Sequence, residues 1–123
     1  MARIALCQDV LVEYMGFMTI SGLLKEDGHK VEVFFDDQLN ENKFIKRLGN
    51  FRPDIVCFSV LTPSFEWAVK ISNRYKEIHK TITVFGNVHI ITNPDLIQTE
   101  GIDIVCIGEG EYPMKELADC VDN

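Results

Sequence analysis

Five short segments of this sequence are apolar almost throughout, and each is separated from the next by a stretch with helical periodicity. The segments are residues 3–7, 31–35, 55–59, 82–85 and 104–107. A strand whose side chains are nearly all apolar is buried on both faces, as in a parallel sheet covered by helices on either side. The alternation therefore predicts an α/β fold, with a doubly wound, five-stranded parallel sheet in the order 2-1-3-4-5.

The stretches between these segments are bounded by glycine and proline, which punctuate helices. The predicted helices cover about residues 15–25, 40–49, 65–79 and 94–100, and the last begins near Pro113. Gly49 is the predicted end of the second helix. The third helix has an apolar stripe of Ala68, Ile71, Tyr75 and Ile78. Trp67 lies beside that stripe and is a candidate to mark a docking face for a partner domain.

Length and charge exclude several classes of protein. The 123 residues suffice for a single domain, which we assign to residues 1–123. With 12 basic and 19 acidic residues and no Lys/Arg cluster, the chain is a poor candidate for binding nucleic acid. No apolar run approaches the roughly 18 residues of a membrane span, and the apolar N-terminal run indicates a strand, not a signal peptide. We expect a cytoplasmic protein.

The four cysteines support the same compartment. Cys7, Cys57, Cys106 and Cys120 are widely separated, so no C-x-x-C metal or redox motif exists. We interpret them as thiols in a reducing environment, most of them buried.

Ligands of doubly wound folds bind at the carboxyl ends of the strands, here the loops at residues 9–16, 59–64, 86–92 and 108–113. A phosphoacceptor receiver needs paired acids after the first strand, an Asp at the end of the third and a Lys at the end of the fifth. At these positions the sequence has a single Asp9, Ser59 and Gly108. Gly16 is the only glycine of the first loop, which excludes the dinucleotide motif G-x-G-x-x-G. Residues 10–15 lack the hydroxyl-rich phosphate loop of a flavodoxin. No Ser-His-Asp or Cys-His set is apparent.

Small residues instead recur where the predicted strands end. Ser59-Val60-Leu61 follows the third strand, Gly86-Asn87 follows the fourth, and Gly16 opens the first helix. Glycines at strand ends let a ligand approach the backbone, and a serine hydroxyl both donates and accepts hydrogen bonds. These residues could together line a slot for a long, partly planar ligand.

This pattern resembles the cobalamin-binding domain family, whose motifs are D-x-H-x-x-G, S-x-L and G-G. Ser59-Val60-Leu61 matches the second motif, Gly86-Asn87 half-matches the third, and Gly16 matches the glycine of the first. Such domains have a flavodoxin-like, or Rossmann-like, fold. The resemblance covers essentially the whole chain and implies that it binds cobalamin.

The sequence is similar to one branch in particular, the domain that precedes the catalytic barrel of radical S-adenosylmethionine enzymes. Residues 52–56 resemble the lead into its third strand, Gly86-Asn87-Val88-His89 its G-G-x-H loop, and residues 108–111 its G-E-G-E turn. The resemblance implies these cofactor-binding residues: Glu13, Tyr14, Gly16, Ser59, Val60, Leu61, Thr62, Gly86, Asn87, Val88, His89, Gly108, Glu109 and Gly110.

Two departures from the family pattern bear on the chemistry. Leu11 and Glu13 occupy the positions of the Asp-His pair that supplies the lower cobalt ligand, so no histidine ligand is expected from this loop. The chain also lacks the C-x-x-x-C-x-x-C triplet that holds an iron–sulfur cluster. We therefore expect no catalysis from this chain alone, and no catalytic residue or protein-held metal.

The branch implies a radical S-adenosylmethionine partner domain in the same polypeptide, which would carry the iron–sulfur cluster and S-adenosylmethionine. On this reading the chain is a fragment that positions the corrin for methyl transfer or related radical chemistry. Two alternatives remain open at this point. One is a degenerate domain that has lost the cofactor and serves as a docking module, and the other is a free-standing sensor or nucleotide binder.

Overall fold

The computed structural model describes residues 2–8, 15–35, 41–59, 65–86, 101–105 and 111–122. Its strands are β1 (Arg3–Gln8), β2 (Lys30–Phe35), β3 (Ile55–Ser59), β4 (Ile82–Gly86) and β5 (Ile104–Val105). Its helices are α1 (Met15–Glu26), α2 (Glu41–Phe51), α3 (Phe65–Ile78) and α4 (Glu111–Asp122). The helix predicted at residues 94–100 lies outside the described residues.

The strands pair in parallel in the order β2-β1-β3-β4-β5. The predicted α/β class and flavodoxin-like order are confirmed, and β5 contributes two described residues to the sheet. Residues 106 and 107 of the fifth predicted strand lie outside the described part. β2 lies on one side of β1, and β3, β4 and β5 lie on the other. The order of the strands therefore reverses at β1, and the switch point of the sheet is between β1 and β3.

Side chains that alternate along each strand build two different cores. Val56 and Phe58 of β3 belong to the cluster under α2 and α3, whereas Ile55 and Cys57 belong to the cluster under α1 and α4. The first cluster is rich in aromatic rings, and the second is mostly aliphatic. The aliphatic cluster includes Met114, whose Sδ lies 3.7 Å from the Sγ of Cys57.

The predicted end of the second helix is wrong, because α2 continues past Gly49 to Phe51. A Cβ on Gly49 would lie 2.9 Å from Nε2 of His79, so the glycine makes room for the imidazole. Gly49 is therefore a packing glycine and not a helix stop. The stripe of α3 is also shorter than predicted, since Ile78 is 62% exposed. The ring of His79 stacks on Tyr75 at this end of the helix, with 4.9 Å between centroids.

Buried hydroxyl groups hold the segment that leads into β5. The carbonyl oxygen of Gly101 accepts hydrogen bonds from Ser72 Oγ at 2.5 Å and from Thr83 Oγ1 at 2.6 Å. The Asp103 carboxylate accepts the Thr83 backbone N–H at 2.9 Å and forms an ion pair with Lys76. These bonds connect α3, β4 and β5 at the amino edge of the sheet.

The Asp103 carboxylate should make the free energy of unfolding depend on pH. Burial works to raise its pKa, but the bonds from Lys76 and Thr83 outweigh burial, so the pKa lies below its ordinary value of 3.8. A carboxyl whose pKa is lowered on folding stabilises the protein above the unfolded value, and that stabilisation is lost as the pH falls through the folded value. We expect Asp103→Asn to lower the free energy of unfolding by about 1 kcal/mol at neutral pH, because the carboxylate is partly screened by solvent.

Urea unfolding at neutral pH and at about pH 3 checks this expectation, since the difference between wild type and variant should shrink in acid. A difference of the same size at both pH values would contradict the role of the Asp103 charge.

Candidate functional site

The carboxyl edge of the sheet brings the ends of two adjacent interior strands, β3 and β4, together. Ser59 is the last residue of β3, Gly86 is the last residue of β4, and the two are register partners. Gly16, the second residue of α1, follows the loop that leaves β1 at the same edge. Three sequence-predicted site residues are thus placed on one edge, and two of them are neighbours.

The other predicted site residues lie outside the described part of the chain. They are Glu13, Tyr14, Val60, Leu61, Thr62, Asn87, Val88, His89, Gly108, Glu109 and Gly110. Two of them directly follow a placed residue: Val60 comes after Ser59, and Asn87 comes after Gly86. Their assignment to the site remains a prediction.

The Ser59–Gly86 pair would allow a ligand to approach the backbone closely. Gly86 is half-buried and carries no side chain, so a ligand at this strand end meets backbone. Its β3 neighbour is a serine, a residue type that supplies one hydrogen-bond donor and two acceptor lone pairs. The pair lies on the interior strands β3 and β4. β3 borders the β1–β3 switch point, where ligands of this architecture bind.

An aromatic residue immediately precedes each member of this pair in the sequence. Phe58 precedes Ser59, Phe85 precedes Gly86, and their ring centroids are 4.9 Å apart. Trp67 of α3 packs on Phe58 with the centroids 5.9 Å apart. Trp67 is only partly buried by this packing against the core, and the docking face suggested for it stays a prediction.

The two described histidines are at the opposite, amino edge of the sheet. His29 precedes β2, and His79 follows α3, so neither is near Ser59 or Gly86. The third histidine, His89, lies outside the described residues. A ligand held at the carboxyl edge therefore receives no imidazole from His29 or His79.

His29 takes part in a polar cluster that joins the start of the chain to α4. Its side chain is 1% exposed, its Nδ1 accepts the backbone N–H of Ala2 at 3.0 Å, and its Nε2 lies 2.9 Å from Asp119 Oδ1. Lys115 Nζ lies 3.1 Å from Asp27 and 3.5 Å from Asp119. The hydrogen bond from His29 lowers the pKa of the Asp119 carboxyl, with Lys115 acting in the same direction.

Asp27, His29 and Asp119 are close enough to be considered as metal ligands. Since Nδ1 of His29 is already a hydrogen-bond acceptor, the ring proton resides on Nε2 and is donated to Asp119. That nitrogen has no free lone pair for a metal, and both carboxylates already form ion pairs with the ammonium of Lys115. The cluster is therefore structural, and nothing in the local sequence could have paired residues 90 positions apart.

No helix in the described ranges is both long and apolar enough to cross a membrane.

Comparison with known proteins agrees with this architecture. An anaerobic magnesium-protoporphyrin IX monomethyl ester cyclase from Rubrivivax gelatinosus is 30% identical over 109 residues, which are 84% of this chain and 20% of the cyclase. An uncharacterized methyltransferase from Pyrococcus horikoshii is 29% identical over 112 residues, 87% of this chain and 24% of the relative. The chain thus spans a quarter or less of the length of these relatives.

Solved structures share the fold. A cobalamin-binding protein from Desulfitobacterium hafniense matches with a TM-score of 0.75 and 18% identity, over 94% of this chain and 57% of that protein. The family model described as the B12 binding domain matches residues 4–118, which include the placed residues Gly16, Ser59 and Gly86. This match spans nearly the whole sheet and its helices, and the chain belongs to the B12-binding domain family.

Proposed function

We propose that this chain binds cobalamin at the carboxyl edge of its sheet. The observation that carries the proposal is the register pairing of Ser59 with Gly86, which puts a serine and a glycine side by side at two strand ends. A bulky ligand can reach backbone there and still find a hydrogen-bonding residue. Membership of the B12-binding family supports cobalamin as that ligand.

Ser59 and Gly86 would hold the nucleotide portion of the cofactor, and Gly16 would border the corrin at the start of α1. Glu13, Tyr14 and the loops after Ser59, Gly86 and Val105 would complete the cleft. When bound, cobalamin supplies the reactivity of its cobalt centre, and the chain's residues supply binding, orientation and exclusion of water.

The lower face of the corrin would lack a histidine ligand from this chain's first loop. Leu11 and Glu13 occupy the relevant positions, and the imidazoles of His29 and His79 lie at the other edge of the sheet. An imidazole ligand is oriented by a carboxylate neighbour, but this loop has no histidine, and Leu11 stands where the family pattern has the orienting Asp. The proposal is a module that grips the cofactor without coordinating its metal through that loop.

We further propose a catalytic partner of the radical S-adenosylmethionine type in the same polypeptide. The support is that the cyclase and the methyltransferase are four to five times as long as the regions that match this chain, and one of the two is described as an uncharacterized methyltransferase. The iron–sulfur cluster and S-adenosylmethionine would belong to that partner. This chain would position the corrin for methyl transfer or related radical chemistry.

Visible absorption during titration with hydroxocobalamin tests the binding proposal. We expect saturation at one cofactor per chain and a weaker titration for Ser59→Leu, because leucine removes the hydroxyl and adds bulk at the strand end. The exposed α1 substitution Gly22→Ala is the matched control, since a Cβ there meets no atom within 4 Å. Flat titrations of the folded wild type would favour the degenerate docking module, and saturation by flavin mononucleotide instead would favour a nucleotide binder.

A further inference from the structure

Four aromatic side chains form a continuous series of edge-on or tilted ring contacts next to the Ser59–Gly86 pair. We call this set the aromatic support, and its members are Phe44, Phe58, Trp67 and Phe85. Phe44 meets Trp67 with 5.8 Å between ring centroids, Trp67 meets Phe58 at 5.9 Å, and Phe58 meets Phe85 at 4.9 Å. This series of contacts therefore runs from α2 through α3 to the ends of β3 and β4.

The topology explains why the aromatic support is at the carboxyl edge. A helix that follows a parallel strand begins at that strand's carboxyl end, and Phe44 and Trp67 are both in the first turn of their helices. Phe58 and Phe85 are the next-to-last residues of β3 and β4. Glu41, the first residue of α2, forms an ion pair with Lys70 in the second turn of α3, at 2.9 Å, which ties the start of α2 to α3.

The support is rigid because most of it is buried. Phe44 is 2% exposed, Phe58 is 1% and Phe85 is 0%, and only the Trp67 indole extends to intermediate exposure. Close-packed aromatic rings in edge-on or tilted contact transmit small displacements to the backbone that carries them. Trp67 is the central link, because it touches rings from both α2 and β3.

We propose that Trp67 is a positioning residue, which sets the spacing between the ends of β3 and β4 and thereby the Ser59–Gly86 pair. This inference rests on the proposed cobalamin site. Trp67 acts through Phe58 and Phe85, and it needs no contact with the ligand itself. A site held by rigid supporting side chains loses affinity when that support is loosened, even though every contacting residue is unchanged.

The test compares Trp67→Leu with a control on the same core face. Phe51→Leu is that control, because Phe51 is an aromatic residue that is 8% exposed and its carbonyl oxygen accepts a bond from Arg3 at the amino edge. For folded chains, we expect Trp67→Leu to weaken hydroxocobalamin binding by roughly tenfold in calorimetry, Phe51→Leu to change it less than about twofold, and Trp67→Phe to restore most of the affinity.

Hydrogen exchange at residues 57–59 and 84–86 gives a second readout that needs no ligand. We expect faster exchange there in Trp67→Leu than in Phe51→Leu, because only the former loosens these strand ends. Equal exchange or equal affinity in the two leucine variants would overturn the positioning role. Absence of binding by the wild type would overturn the cobalamin site instead, and the exchange comparison would still decide whether Trp67 sets the strand ends.

Discussion

Replacing Gly86 with valine is expected to abolish cobalamin binding while the chain stays folded. Gly86 ends β4 beside Ser59, and the proposed site needs backbone contact at this point. A branched side chain there would occupy the space of the ligand, and we expect the affinity to fall by about 100-fold or more. Valine is favourable in strands, so the sheet should tolerate it.

Calorimetric titration of wild type, Gly86→Val and Gly22→Ala with hydroxocobalamin measures this effect. Gly22 lies on an exposed part of α1, where a Cβ meets open space, so its variant should bind like the wild type. Repeating the titration with cobinamide, which lacks the nucleotide, assigns the contact: wild type should bind cobinamide weakly, and the Gly86→Val variant should no longer distinguish the two corrinoids. Unchanged cobalamin affinity in Gly86→Val would remove the strand end from the site.

The largest expected loss of folding stability is at Gly101. This residue has a φ of +96°, and a Cβ added to it would lie 2.7 Å from the side-chain oxygen of Asn73. Its carbonyl oxygen also accepts hydrogen bonds from the buried hydroxyl groups of Ser72 and Thr83, so the backbone cannot easily move away. We expect Gly101→Ala to lower the free energy of unfolding by about 3 kcal/mol, from strain in the left-handed region together with displacement of Asn73.

Two other glycines separate these contributions. Gly28 has a φ of +86° but open space around its Cβ position, so Gly28→Ala should cost only the backbone strain, about 1 kcal/mol. Gly22 is helical, and Gly22→Ala should increase stability by about 0.5–1 kcal/mol because alanine favours helices. Urea unfolding followed by circular dichroism measures all three, and equal losses at Gly28 and Gly101 would show that the contact with Asn73 has no energetic weight.

The fold was largely predictable because the information is local and repetitive. Continuous apolar segments such as residues 55–59 indicate strands covered on both faces, and right-handed connections then leave few possible orders. The placement of Ser59 beside Gly86 followed from the same reasoning, since carboxyl ends of parallel strands share one edge. The family motifs then identified these ends as a candidate cofactor site.

The errors and omissions arose where tertiary contacts decide the outcome. Gly49 has the usual appearance of a helix end, yet the helix continues because the missing side chain admits His79 from another helix's end. Ile78 fits the apolar period but is exposed, whereas Trp67, placed beside the period, packs on core phenylalanines. No local pattern states which distant residue will fill a given space.

The most direct test of the account is isothermal titration of the folded chain with hydroxocobalamin, together with the Ser59→Leu and Gly86→Val variants. We expect one cofactor bound per wild-type chain, with binding weakened or lost in both variants while their circular dichroism is unchanged. No heat of binding and no change in the visible spectrum for the folded wild type, at protein concentrations of about 100 μM, would contradict the proposal that this domain holds cobalamin.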